Sequence, residues 1–494
     1  MKLFSEVERA RIAYHTDQFQ KTVHRSSLLV PRFDNATSVI SFLNHFLIKR
    51  NYEIVTLKIT AISCKGKFKN SKSIEINEPR VYTFYLEDLF QDSADTGEYL
   101  VEFFSTKNLF FPYPAVMVNH VGKDFINTVH AYNRVLNDIF EDDEINGIQV
   151  CESSIDVTVD EEYDSFFICA SGPFNLTDNL TITLEDSSQL SREIPIRIDR
   201  MSLRTFMLSE IFDRKLICES TLKILQPKQS LFYGRLLAGV MNRKTGAFSA
   251  NHSYYDSSTL NDYVKGDFSA QSFPYFANCH NRVTMYPINS QSCLALKIEV
   301  SNGVDTFESK AKTLCSPSLL PVTFDINELV EESGCEDISL FRVVAYSDND
   351  YIPSRISLQI KYGPLNSKSK LYTSISETLL NSTPYVVPKS GQMIWGQVVN
   401  DKFYSTRIGI CFCDPEVLNG EILVQFYDKS GVLASLTIKA SGRESVIFES
   451  DFLMNLGSED RFIWYVARSK SGKLNGQSFH YHRLTDNSSG EHCF

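Results

Sequence analysis

Tryptophan is nearly missing from this chain: two residues in 494, against 35 phenylalanines and 23 tyrosines. Aromatic content of that kind suits half-buried pleated surfaces and favours β-rich packing. Long apolar runs are missing too. None approaches the roughly 18 residues that span a bilayer, which excludes a transmembrane helix. A basic run is also lacking, the nearest being the scattered lysines of "KGKFKNSK", and the net charge is −11. Such a chain repels phosphate backbones at long range, so no nucleic-acid partner is expected.

The opening "MKLFSEVERARIAYHTDQF" puts Glu6, Glu8, Arg9 and Arg11 where a secretory leader needs an uninterrupted apolar stretch. Its alternation suits a short amphipathic helix. The eleven cysteines show neither CxxC spacing nor an even count. Reduced thiols and a cytoplasmic location follow as expectations. The G-x-S-x-G elbow, the Walker loop, the Rossmann glycine fingerprint and HExxH are all absent, which weighs against an enzyme.

What is present is a repeat. "YTFYLEDLF", "RTFMLSEIF", "VTFDINELV" and "VIFESDFLM" are centred on Phe84, Phe206, Phe324 and Phe448, spaced 122, 118 and 124 residues apart. Tyr132, Tyr254 and Tyr372 each follow their phenylalanine by 48 residues, while "SFHYHR" follows Phe448 by about 32. Before each phenylalanine comes apolar alternation, a turn and more alternation: "VTLKITAISCKGKFK", "LTITLEDSSQLSREIPIRI", "LALKIEVSNGVDTF" and "ILVQFYDKSGVLASLTI". Period-two alternation around a polar turn marks a hairpin with one buried face.

Repeats of this size are tandem domains and not solenoid turns. The expected fold is all-β: a tandem array of four antiparallel, immunoglobulin-like β-sandwiches behind a short N-terminal helix. The expected division is 1–25 for the helical extension, then 26–140, 147–262, 268–380 and 388–494 for the sandwiches. The acidic run Glu141–Gly147 joins the first two. Asp262–Pro274 and Asn381–Gly391 lead into the third and fourth. "LEDLF", "LSEIF" and "INELV" are expected to form a short turn or a single helical turn.

Candidate sites follow from the same landmarks. His130 with Tyr132 and His252 with Tyr254 share a strand face and form a candidate ligand site, since imidazole and phenol can hold a sugar hydroxyl or a metal. Counting back from Tyr372 puts Lys370 in the third position. Lysine cannot replace a ligating imidazole, which favours a scaffold role for the repeated pair. Candidate metal ligands are His120, Asp124 and His130, grouped by a hairpin turning at Gly122-Lys123, and His480, His482 and His492 in "FHYHRLTDNSSGEHCF", which otherwise reads as a polar tail. Cys411 and Cys413 read as core fillers. Cys279 and His280, being adjacent on a strand, point to opposite faces and make a poor catalytic dyad.

The reading that results is a non-catalytic binding protein for carbohydrate or a protein partner, with no required cofactor and an oligomeric state left open. Two alternatives stand beside it. One is a metal-dependent enzyme using a histidine cluster, in which case a divalent metal would be the cofactor. The other is a structural assembly subunit.

Overall fold

The computed structural model describes residues 24–90, 95–105, 115–130, 133–135, 151–185, 190–213, 220–229, 232–255, 262–290, 292–314, 321–381 and 391–494. The expected N-terminal helix, the acidic joint at 141–147 and Tyr132 lie outside these residues. The chain is all-β, and its strands form four successive antiparallel sandwiches. Among the described residues, no helix is long and apolar enough to cross a membrane. The chain divides into two compact units: Met1–Pro79 with Thr83–Asp256, and Arg80–Tyr82 with Ser257–Phe494.

The first unit holds two sandwiches. One sheet of the first runs in the order His24–Pro31, Thr96–Ser105, Val55–Ser63, Phe68–Ile76. Its other sheet runs Val81–Tyr85, Ala36–Leu43, Met117–Gly122, Ile126–His130. The second sandwich sets Leu190–Ile198, Leu176–Glu185, Thr221–Leu225, Cys151–Asp156 and Tyr254–Tyr255 against Leu203–Met207, Tyr163–Ala170, Leu237–Asn242 and Phe248–His252.

The second unit holds the other two. The fourth sandwich repeats the plan, with Gln392–Val399, Phe462–Ser469, Gly420–Asp428, Gly431–Ala440 facing Ser445–Glu449, Tyr404–Phe412, Leu474–His482, Ser488–His492. The third departs from it. Its two sheets join at one edge, where Ser269 and Ala270 pair with Asn381 and Leu380, so nine strands form one wrapped sheet. The stretch read as a lead-in is strand here: Tyr263–Lys265 pairs with Tyr351–Pro353, and Phe268–Pro274 with Leu340–Ser347.

The sequence patterns explain these elements. All four predicted hairpins form: Val55–Ser63 with Phe68–Ile76, Leu176–Glu185 with Leu190–Ile198, Leu294–Ser301 with Thr306–Glu308, and Gly420–Asp428 with Gly431–Ala440. In Leu294–Ser301 burial alternates residue by residue, with Leu294, Leu296, Ile298 and Val300 in the core, as one-faced burial at period two demands.

Three of the landmark phenylalanines, Phe206, Phe324 and Phe448, are buried, and Phe84 is half-buried. Phe206 stacks on Phe167 with ring centroids 4.9 Å apart, and Phe448 meets Phe426 edge-on at 5.3 Å. A turn of helix follows each landmark: Glu87–Leu89, Leu208–Ile211, Ile326–Ser333 and Ser450–Met454. The third is the longest because it is capped at both ends. The Asp325 side chain accepts from the amides of Asn327 and Glu328, and Gly334 closes the helix at φ 62°.

Candidate functional site

In the second and fourth sandwiches the His-x-aromatic marks the place where a closing strand leaves one sheet for the other. In the second sandwich His252 ends the strand Phe248–His252, paired with Leu237, and two residues later Tyr254 pairs with Ser153 of the opposite sheet. In the fourth, His492 ends Ser488–His492, paired with Gln477, and the backbone of Phe494 exchanges hydrogen bonds with Trp395 of the opposite sheet. The details match. The Ser253 amide donates to Leu236 O at 2.9 Å, and the Cys493 amide to Gly476 O at 2.8 Å. The His252 amide donates to Asn251 Oδ1, and the His492 amide to Glu491 Oε1.

Ladder register places each copy. Phe206, Phe324 and Phe448 lie across from Phe167, Val283 and Ile408, which face Ala238, Ile360 and Ser478 in turn. One residue back along the last of these strands stand Leu237, Gln359 and Gln477, whose partners are His252, Ser376 and His492. In the first sandwich the same step leads from Val118 to Met117 and its partner His130.

Two expectations are thereby corrected. The third copy of the histidine is Ser376, not Lys370. Tyr372 precedes its closing strand, whereas Tyr254 follows one, so the third 48-residue interval is a coincidence of spacing. The fourth copy is His492 and not the histidines of "SFHYHR". Counting from phenylalanine to histidine gives 130 − 84 = 46, 252 − 206 = 46 and 492 − 448 = 44. "EHCF" therefore carries the signal that sequence reading passed over.

Within the first unit the two equivalent histidines meet. Their rings are 4.3 Å apart between centroids at 73°, and both are buried. Their ring nitrogens lie within 4.8 Å of each other. His252 Nδ1 is 2.9 Å from Ser253 O and 3.0 Å from Arg235 Nη1. A guanidinium only donates, so Nδ1 either accepts from Arg235 or, carrying a proton, donates to Ser253; it cannot do both. Arg235 also lies over the ring of Tyr254, 5.3 Å from its centroid.

Within the second unit, His492 Nδ1 is 2.8 Å from the carbonyl of Cys493. A carbonyl can only accept, so Nδ1 carries the proton and Nε2 is left toward Glu491 Oε1, 3.6 Å away. Gln477, the cross-strand partner of His492, donates from Nε2 to Glu377 Oε1 at 3.1 Å and accepts from the Tyr362 hydroxyl at 2.6 Å. Burial pushes the Glu377 carboxyl above its ordinary range, and the field of His492 opposes that push.

The other metal candidates do not converge. His120 pairs with Asn127 while His130 pairs with Met117, so strand alternation sends the two imidazoles to opposite faces of one hairpin. His120 donates from Nε2 to Pro31 O at 3.2 Å and sits edge-on to Phe33 at 4.8 Å. Burial lowers its pKa to about 4. Asp124 is half-buried in the intervening turn. His480 and His482 do share a face, as expected, but they spend it on one tyrosine: both rings meet Tyr404, at 5.6 and 5.2 Å. His482 Nδ1 also takes the Leu484 amide in the turn. His492 stands on the opposite face of that hairpin from both, because its partner Gln477 alternates with Ser478 and His480.

Cys279 and Cys411 are buried and Cys413 half-buried. Cys411 lies within 3.5 Å of Ser272 O, and burial raises the Cys413 thiol to about 12. Cys279 accepts from Arg407, whereas His280 turns to the ring of Tyr372, 5.3 Å away, so the two side chains do not form a dyad.

An open cleft of about 230 Å³ lies between the third and fourth sandwiches, inside the second unit. Glu299, Ser301 and Arg342 line one wall, and Glu416, Gly442 and Arg443 the other. Each wall carries its own ion pair: Arg342 to Glu299 at 3.1 Å, and Arg443 to Glu416 at 3.6 Å.

No family model matches this chain, and neither does any curated protein. Among solved structures, a calcium-binding mutant of Bacteroides uniformis beta-glucuronidase 2 is similar at 12% identity and a TM-score of 0.13. That match covers 51% of this chain and 29% of the glucuronidase. A tetra-tandem repeat from the extending region of a large adhesion protein is similar at 9% identity and a TM-score of 0.09, over 95% of this chain and 98% of that one. Likenesses this distant carry no argument about ligand or activity.

Proposed function

We propose that this chain is a non-catalytic tandem β-sandwich binding protein whose second unit takes a polar segment of a protein partner. The observation that carries the reading is the cleft between the third and fourth sandwiches. Its walls supply two carboxylates, two guanidinium groups and the hydroxyls of Ser301 and Thr306, and no aromatic ring lines it. A sugar ring is usually held by stacking on an aromatic face, whereas charged and hydroxyl groups around a small concavity suit the side chains of a peptide loop. A volume of about 230 Å³ accommodates one or two such side chains. Carbohydrate remains the runner-up ligand. The buried thiols of Cys169, Cys279 and Cys411 fit a reducing, cytoplasmic setting.

The test uses the intact chain in parallel on a glycan array and in a cross-linking pull-down. An Arg342→Ala/Arg443→Ala variant is the control. The expected result is a protein cross-linked through residues of the cleft and lost in the variant. Glycan retention that depends on those arginines would transfer the site to carbohydrate. Retention of neither, or capture unaffected by the variant, contradicts the proposal.

A further inference from the structure

We propose that Glu491 and His492 of the second unit, with the Glu377 carboxylate near them, hold a divalent transition metal of the zinc class. The inference is independent of the cleft. It begins with position. The same ladder place holds an imidazole in three sandwiches, as His130, His252 and His492, and in the first unit two of these are brought ring to ring.

The fourth copy differs in its surroundings. Its neighbour in sequence is a carboxylate, Glu491, that is 1% exposed. The side chain of its cross-strand partner, Gln477, reaches the second carboxylate, Glu377. The first copy has Val129 and the second Asn251 where the fourth has Glu491. The fourth position therefore combines an imidazole and a buried carboxylate, with a second carboxylate one hydrogen bond beyond Gln477, and imidazole with carboxylate is the donor set of a borderline divalent cation.

Orientation supports the same conclusion. The bond from Nδ1 to the Cys493 carbonyl fixes the ring and its tautomer, which is how metal-ligating histidines are usually held. The other ring nitrogen then stands 3.6 Å from Glu491 Oε1. Two ligand atoms on a tetrahedral zinc ion, each about 2.0–2.2 Å from it, are about 3.3–3.6 Å apart. Burial adds a reason. A carboxylate out of water needs an opposing charge, and a divalent cation supplies one. The competing description is an internal His492–Glu491 ion pair that binds nothing.

The experiment takes the full chain, purified without a histidine tag and stripped with chelator, and titrates it with Zn2+ by calorimetry and with Co2+ by visible absorption. The expected result is one saturable equivalent, with d–d bands for Co2+ typical of nitrogen and oxygen ligation. His492→Ala should weaken Zn2+ binding by at least about tenfold, the scale of losing a supporting or direct ligand. Glu491→Gln keeps the side chain's shape and should weaken binding in the same direction, which guards against a folding defect in the alanine variant. The His480→Ala/His482→Ala variant should bind as the parent does. Absence of Zn2+ uptake and Co2+ bands in the parent would establish the ion pair and overturn the proposal. So would loss of binding in the His480/His482 variant with retention in His492→Ala.

Discussion

Each unit welds two sandwiches together through their closing hairpins, and the two welds differ in chemistry. In the first unit the joint is a cluster of rings around Phe248, which meets Phe33 at 4.6 Å, Phe125 at 5.0 Å, His120 at 5.6 Å and Phe166 at 5.7 Å. In the second, Phe276, Phe479 and Tyr362 form a smaller cluster, with centroids 4.9 to 5.2 Å apart. A polar chain crosses beside it: Tyr362 reaches Pro274 O and Gln477, and Gln477 reaches Glu377. The backbones also approach closely there, since a Cβ on Gly409 would stand 2.2 Å from Pro274 Cβ. One scaffold has thus been sealed by a large ring cluster in one place and by a smaller ring cluster with a side-chain hydrogen-bonded chain beside it in another. A network can be placed where a ligand is to be held; a ring cluster only packs.

The largest expected effect tests whether the joints are comparable in strength. Phe248→Ala and Phe479→Ala should each cost about 3–5 kcal/mol by chemical denaturation, the range for emptying a large ring from a packed interior. A cost under about 1 kcal/mol at either site would break the comparison there.

Next comes a pH effect that belongs to the first unit. Glu98 is buried, and that burial raises its pKa to about 8. The folded state therefore holds a proton that the unfolded chain, near 4.5, has released. Stability attributable to this group is intact below about 4.5 and declines as pH rises toward about 8. Glu98→Gln should remove that decline, giving a gain on the order of a few kcal/mol at pH 8 and almost none at pH 4.5. Thermal melts at the two pH values check it, and an equal change at both would refute the assignment.

The smallest effect distinguishes the networks. Tyr362→Phe deletes one hydroxyl between Pro274 O and Gln477 Oε1 and should cost about 1–2 kcal/mol, as a buried acceptor loses its donor. Phe276→Leu, beside it, leaves the polar chain untouched and serves as the packing control.

Much of this plan was legible in the sequence, and the failures have physical causes. The hairpins could be read because one-faced burial forces alternation, as in "LALKIEV", and the landmark phenylalanines because each precedes a helical turn. The third histidine position was misplaced because the loop from Leu365 to Tyr372 lengthens the last hairpin of that sandwich, and a count along the chain cannot see where a turn lies. His120 and His130 were grouped by closeness in sequence, although ladder parity separates them. The end of the chain read as a polar tail because Asp486, Asn487 and Glu491 dominate its composition. Yet Ser488 and Ser489 are buried in a strand whose backbone pairs fully with Leu474–His482.

The central claim is that the His-x-aromatic of the second and fourth sandwiches is a strand crossing from one sheet to the other, and the scarcity of tryptophan makes it directly measurable in the fourth. Trp395 and Trp464 are the only two in the chain, both are buried, and both stack on Phe494, at 6.0 and 6.2 Å. Tryptophan emission and acrylamide quenching of Phe494→Ala should therefore show a red shift and increased quenching while the far-ultraviolet dichroism stays that of the parent. An emission spectrum and quenching constant identical to those of the parent would mean that Phe494 does not lie on the opposite sheet, and the account of the repeated motif would fall with it.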